Sequence, residues 1–443
     1  MNTAQSSTEA AWPASSYAWY ATVVLMLAYT LSYIDRQILS MLVEPIKADL
    51  GISDTQIGLL QGLAFALFYT LVGIPMGRLA DNGNRKKLMA WGIFFWSLAT
   101  AACGLAKTFW QLFAARVGVG VGEAALGPAA YSTLADLFPP ERRSRAIGVY
   151  SIGVYLGIGL AAVIGGQVIG ALADSPPIVL PWIGELAAWH ITFLVVGLPG
   201  VLLAIWVATL REPLRRGAQR AAVPVREVIA FVFGHRLRLL ATHFLGFSML
   251  TMLFNATVFW MAPYLMRAHQ LTPQQFGTQL GLTLAFAGGI GIYAGGVCAD
   301  LLRRRGVATA ELWPGIVSAI GVLPFGIGTV QAATGSAALA LFAGFMFFSS
   351  FAFAAAASAI SIICPNRLRG QISAVYLFFV NLAGIGVGSF LTGFFNDYVF
   401  RDPNRVGDSI AWIIAIAAPL AIVLLALCMA PYRRSQQMPA NEH

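Results

Sequence analysis

The sequence predicts an all-α membrane protein with twelve transmembrane helices in two six-helix, pseudo-symmetric halves. Three observations carry that reading. Of 443 residues, 58% are apolar and only 11% charged, whereas a soluble domain carries about 25% charged residues. Apolar runs of membrane-spanning length recur six times on either side of one polar seam. The basic residues gather on alternate connections.

A hydrocarbon core about 30 Å thick takes roughly 20 apolar helical residues to cross. Runs of that length are Tyr17–Met41, Thr55–Leu79, Leu88–Ala106, Thr108–Leu134, Arg145–Ala173 and Trp189–Leu210, then Leu237–Met266, Pro273–Leu302, Thr309–Val330, Ala337–Ile363, Gly370–Phe395 and Ile410–Ala430. The expected organisation is a cytoplasmic tail over 1–16, a first half over 17–210, a cytoplasmic linker over 211–236, a second half over 237–430 and a cytoplasmic tail over 431–443. The first run is too long for a signal-peptide core and contains Asp35 and Arg36, so no cleaved signal is read.

Charge sets the orientation. The termini and every second connection hold 21 of the 28 Lys and Arg residues, and the opposite connections hold 5. Basic connections stay cytoplasmic, which places both termini in the cytoplasm of an inner-membrane protein. The formal charge of +9 is thereby accounted for by topology, with no nucleic-acid partner. The halves also repeat each other: Gly77-Arg78-Leu79-Ala80-Asp81 ends the second run and Gly296-Val297-Cys298-Ala299-Asp300 the eighth. Such duplication points to a transporter whose site lies near the midplane between the repeats.

Catalytic chemistry is not legible. There is no GxxxxGK[ST] loop, HExxH or GxSxG, and the four cysteines form no CxxC pair. We expect no enzyme, cofactor or metal, and a monomer whose partners are the bilayer, protons and a small amphipathic substrate.

Four formal charges lie well inside spans: Asp35, Arg36, Arg116 and Glu123. Each costs at least roughly 2.5–3.5 kcal/mol at the bilayer centre and so must face a cavity or a partner. Asp35 and Arg36 are consecutive and cannot pair well within one helix, so their partners belong on other helices. Arg116 and Glu123 are two turns apart on one face of span four, which presents both to span one. The four charges sum to zero. Protonation of Asp35 or Glu123 leaves a net positive cavity able to hold an anionic or zwitterionic headgroup, with Arg36, Arg116 and Tyr33 as binding residues. Purely structural pairing of spans one and four is the alternative. In the second half the deep polar candidates are Asn255 and Asn381, and Phe345 is the expected aromatic wall. An apolar second wall suits an amphiphile better than a sugar.

The run Gly77-Arg78-Leu79-Ala80-Asp81-Asn82-Gly83-Asn84-Arg85-Lys86-Lys87 resembles the loop signature of the major facilitator superfamily, and Arg116, Gly120, Gly122 and Ala124 resemble its fourth-span pattern. Tyr33-Ile34-Asp35-Arg36, Gly120-Val121-Gly122-Glu123-Ala124 and Asp136-Leu137-Phe138-Pro139-Pro140-Glu141-Arg142-Arg143 resemble the spinster branch. The resemblance implies the major facilitator fold and proton-linked lipid transport, with sphingolipids and lysophospholipids as substrate classes. It also implies a cytoplasmic latch holding the outward-open state, carried over to Gly77, Asp81, Arg85, Arg142, Arg145, Asp300 and Arg369. Asn82 and Asn84 depart from the usual basic residue and glycine, and span five lacks the Gly-Pro of the antiporter signature, offering Gly153, Gly157 and Gly159. The expected function is alternating-access secondary transport of a small amphipathic molecule, coupled to protons. The alternatives are a drug or organic-anion transporter, or an uncoupled lipid facilitator or scramblase.

Overall fold

Among the described residues of the computed structural model, ten helices are long and apolar enough to cross a membrane: Ser15–Met41, Asp54–Asn82, Pro140–Leu172, Ala188–Thr209, Leu237–His269, Pro273–Arg304, Trp313–Gln331, Gly335–Ile363, Arg369–Phe400 and Pro403–Gln436. Two further helical segments complete the series. Span three is Arg85–Cys103, which begins inside the basic run, and span four is Phe109–Glu123 continued by Leu126–Leu137. The spans are numbered one to twelve in chain order. The structure describes residues 12–172, 176, 178–181, 184–216, 224–234, 236–365 and 368–437. Parts of the expected linker and both tails therefore lie outside the described residues.

Span one packs on span five, span two on span four, and span three on spans four and six; in the second half span seven packs on twelve and eleven, eight on ten, and nine on ten and twelve. The halves meet where span five crosses span eight and where span two crosses span eleven. Both crossings are glycine-mediated. A Cβ at Gly159 would meet the Gly281 carbonyl at 2.6 Å, and one at Gly166 the Pro273 carbonyl at 2.6 Å. Gly153 does the same work against span one, where a Cβ would meet the Met26 carbonyl at 2.7 Å. With lipid tails as apolar as the side chains, helix association draws on such close backbone contact.

Several spans are broken well inside their length, away from their ends. Span two breaks at Gly62, span four after Glu123, span ten around Phe351, and span eleven passes through a wide helical turn at Leu382–Gly388. Irregular backbone within a membrane is tolerated where it is buried in protein or lines a cavity. Three short elements were not expected: a helix at Val43–Leu50 closed by Gly51 at φ 62°, a helix at Val225–Phe233 within the linker, and a two-stranded hairpin pairing Ile178–Leu180 with Gly184–Leu186. Each is shorter than the period-reading window that finds spans.

The two ends of the bundle differ. At the end opposite the basic loops, a Cβ at Gly58 would meet the Phe390 backbone at 2.8 Å, and Gly62 sits directly against the Gly386 carbonyl. Toward the basic end of the same span, Gly73 and Gly77 face open space, as does Gly370 on span eleven. Spans two and eleven thus touch at one end and diverge at the other.

Candidate transport site

Where the halves diverge they enclose a cavity of about 360 Å³. Arg36 is the one charged side chain among its described lining residues. Arg36 Nε donates to Glu123 Oε2 at 2.5 Å, and Ser32 Oγ donates to the same oxygen at 2.7 Å. The guanidinium carbon lies 4.8 Å from the Tyr33 ring centre, 4.7 Å from Phe65 and 4.6 Å from Tyr69. Three aromatic faces and one carboxylate therefore hold the cation at the edge of the cavity, each ring attracting it through its quadrupole.

The remaining charges lie a layer behind. Asp35, Arg116 and Glu123 are buried and do not line the cavity. Arg116 donates to the carbonyl of Asp35 at 3.1 Å, to that of Leu60 at 3.4 Å, and to Gln61 Oε1 at 3.3 Å. Its contact with residue 35 is to the main chain. The Asp35 carboxyl turns instead toward Thr100 and Trp96, but among the described residues no donor reaches either of its oxygens in full hydrogen-bond geometry. The same holds for Glu123 Oε1. Span four does carry Arg116 and Glu123 to span one, but to different atoms of it.

Of the other expected binding residues, Tyr33, Asn255 and Asn381 line the cavity and Phe345 does not. Phe345 is buried within the second half, its ring stacked 5.8 Å from Phe342 and filling the space beside Gly326. The aromatic that span ten presents to the cavity is Phe353, past the break around Phe351 and beside Phe254 of span seven. The second wall is also less apolar than expected. Thr251, Asn255 and Asn381 share it with Phe254, Ile292, Phe353 and Leu377. Sequence reasoning missed Gln37 and Gln61, which reach the cavity from spans one and two. A search for uncharged amides within apolar runs would have found them.

The expected latch residues do not form one cluster. Arg85 is buried and binds Glu212 Oε1 at 2.7 Å, Ser132, the Pro213 carbonyl and Asp136, all within the first half and its trailing segment. The Asp81 carbonyl accepts from Arg215, while the Asp81 carboxylate forms no ion pair among the described residues. Asp300 pairs at 3.7 Å with Arg303 on its own helix. Arg142 and Arg145 are exposed, Gly77 faces open space, and Arg369 is half-buried. These groups lie at the basic end, and among the described residues no ion pair joins them to the other half.

An ion-paired cluster that joins the halves lies at the opposite end. Arg267 of span seven donates to Asp54 Oδ2 and Oδ1 of span two at 2.6 and 2.8 Å, and to Glu44 at 2.8 Å. Lys47 and Asn396 complete the shell around Asp54, and Thr55 N donates to Asp397 at 2.6 Å. A bidentate guanidinium–carboxylate pair is among the strongest and most directional of such contacts. Sequence reasoning counted Lys47 and Arg267 only as the minority basic side. Their convergence on Asp54 spans more than 200 residues of chain.

A model of the Major Facilitator Superfamily matches residues 25–388. The chain belongs to that superfamily. It is 30% identical over 433 residues to an MFS-type efflux pump of Mycolicibacterium smegmatis, covering 94% of each chain. It is 26% identical to a probable L-galactonate transporter of Escherichia coli, covering 91% of this chain and 88% of the other. Among solved structures it is similar to a bacterial homologue of the human lysosomal transporter spinster in an inward-facing and occupied conformation, with a TM-score of 0.76 and 26% identity over 97% of this chain and 99% of that one. The protein is thus a multi-pass membrane transporter of the superfamily and not an enzyme, with structural kinship to the spinster branch.

Proposed function

We propose that this transporter moves a small amphipathic anion or zwitterion by alternating access, coupled to protons carried by Glu123 or Asp35. The observation that carries the reading is the Arg36–Glu123 pair at the cavity edge. An anionic headgroup entering the cavity competes with Glu123 for Arg36. A proton on Glu123 ends the ion pair and frees the guanidinium for the ligand; loss of that proton restores the pair and expels the headgroup. Asp35 supplies a second protonatable site, and a proton that comes and goes there accounts for a buried carboxyl that no described donor meets in full hydrogen-bond geometry. Tyr33, Asn255 and Asn381 contact the ligand from the two halves.

The basic end is assigned to the cytoplasm of the inner membrane, with both termini, on the positive-inside rule. The conformation is then inward-open. Asp54–Arg267 holds it closed on the outside, while the latch residues Gly77, Asp81, Arg85, Arg142, Arg145, Asp300 and Arg369 act only when the cytoplasmic ends come together. In this account the first half is 17–210, the second 237–430, and a monomer suffices.

A second reading is favoured by the amides and hydroxyls on both walls: a hydrophilic organic anion in place of a lipid. The apolar part of the second wall, with Phe254 and Phe353, supports the amphiphile. The test uses purified protein in proteoliposomes with an internal pH dye. Lysophosphatidylglycerol, added outside, should drive a pH change that galactonate does not. A response to galactonate alone would establish the second reading, and transport of either without a pH change would remove the coupling.

A further inference from the structure

Two glutamines join the buried cation Arg116 to the cavity. Arg116 Nη2 donates to Gln61 Oε1 at 3.3 Å, and Gln61 Nε2 donates to Gln37 Oε1 at 3.3 Å. The direction of this chain is fixed by chemistry. A guanidinium has five donors and no acceptor, so only the oxygen of Gln61 can face it. The nitrogen of Gln61 then faces Gln37, and only the oxygen of Gln37 can meet that nitrogen. Reversing either amide sets donor against donor, and Gln61 is 4% exposed, where an unsatisfied polar group costs its full desolvation. The nitrogen of Gln37 is left at the free end of the relay. Gln37 lines the cavity beside Arg36, and among the described residues nothing accepts a hydrogen bond from that nitrogen.

We propose that Gln37 is a specificity-determining donor of the transport site, held as a donor by Arg116 through the positioning residue Gln61, and that it binds a carboxylate or phosphate oxygen of the ligand. A free amide can rotate to offer either its oxygen or its nitrogen, and so recognises donors and acceptors alike. An amide locked by a guanidinium relay keeps its oxygen on the relay side, engaged by Gln61, and leaves its N–H groups as the free end. The relay thereby converts a cation too deep to touch the ligand into a selection for oxyanions at the cavity wall. It adds a directional contact to Arg36, whose planar cation is shared with Glu123.

This inference rests on the proposal of an anionic ligand, and the experiment separates the two. Binding to detergent-purified protein is measured by calorimetry for lysophosphatidylglycerol and galactonate, with uncharged monoacylglycerol and galactitol as comparators. Gln37→Glu keeps the shape, adds a negative charge and removes the donor. It should weaken the preferred oxyanion about tenfold to a hundredfold more than it weakens the matching uncharged probe, and the uncharged Gln37→Leu should weaken the oxyanion as well, which charge repulsion alone would not do. Gln61→Leu should weaken the oxyanion in the wild-type background but add nothing in a Gln37→Leu background, since the two act in series. Gel filtration checks that each variant is folded; if Gln61→Leu is not, the Gln37→Glu arm decides alone. Wild-type affinity for oxyanions retained by Gln37→Glu, or an undiminished effect of Gln61→Leu without Gln37, overturns the relay. Wild-type protein that prefers neither oxyanion over its uncharged comparator overturns the anionic-ligand reading and the relay with it.

Discussion

Arg36 and Glu123 are 87 residues apart in sequence and meet at 2.5 Å, on spans one and four, behind a cavity that only Arg36 enters. The pair has a ligand-facing member and a hidden member. In the proposed coupling, the group that exchanges protons is thereby kept out of the ligand's volume, yet acts on it through a single hydrogen bond.

In the proposed orientation, the Asp54–Arg267 contact holds the outer ends of the halves together. Removing one partner of a buried ion pair leaves the other uncompensated, at roughly 3–5 kcal/mol. Arg267→Ala should therefore shift the protein toward the outward-open state. Spin labels on Trp110→Cys and Asn404→Cys, with Cys298 replaced, should move apart. An unchanged distance distribution would show that Asp54–Arg267 does not hold the halves.

Asp81 is exposed, and among the described residues its carboxylate forms no ion pair; its proposed latch role belongs to the other half of the cycle. Asp81→Asn should leave ligand affinity unaltered and slow turnover. Normal turnover would remove the latch role, and lost affinity in a folded variant would place Asp81 at the binding site.

Arg85 has a different character from the other loop arginines. It is buried and satisfies Asp136, Glu212 and two carbonyls. Arg85→Ala should lower stability by about 3 kcal/mol, seen as a fall in thermal unfolding temperature, whereas Arg145→Ala at an exposed site should leave it unchanged. Equal melting temperatures for the two variants would make Arg85 a mere positive-inside charge.

Orientation is open to a simple chemical test. Leu214 lies on the polar connection between the halves and is 69% exposed. Leu214→Cys should react with a membrane-impermeant maleimide only after cells are permeabilised. Labelling of intact cells would invert the assigned topology.

The spans were legible because bilayer thickness imposes a length and a composition that survive any tertiary context. The charged cluster was legible for the same reason, since Asp35, Arg36, Arg116 and Glu123 stand out against apolar runs. Less visible was anything decided by where a helix breaks. Phe345 lies before the break around Phe351 and packs within the second half, and it is Phe353, past the break, that reaches the cavity. The Asp54–Arg267 contact was hidden because both residues sit at span ends, where charge is ordinary and only tertiary structure reveals a partner. Gln37 and Gln61 were passed over because a search for formal charge does not register amides.

The proton-coupling claim is tested most directly by gradient-driven transport of lysophosphatidylglycerol into proteoliposomes by wild type, Glu123→Gln and Asp35→Asn, each verified as folded. Wild-type transport should follow the imposed pH gradient. The variant lacking the proton carrier should lose that response while retaining exchange of substrate for substrate, because the cavity and Arg36 remain. If both variants keep the full response to the gradient, neither carboxyl carries the proton, and the cluster serves only to lock spans one and four together.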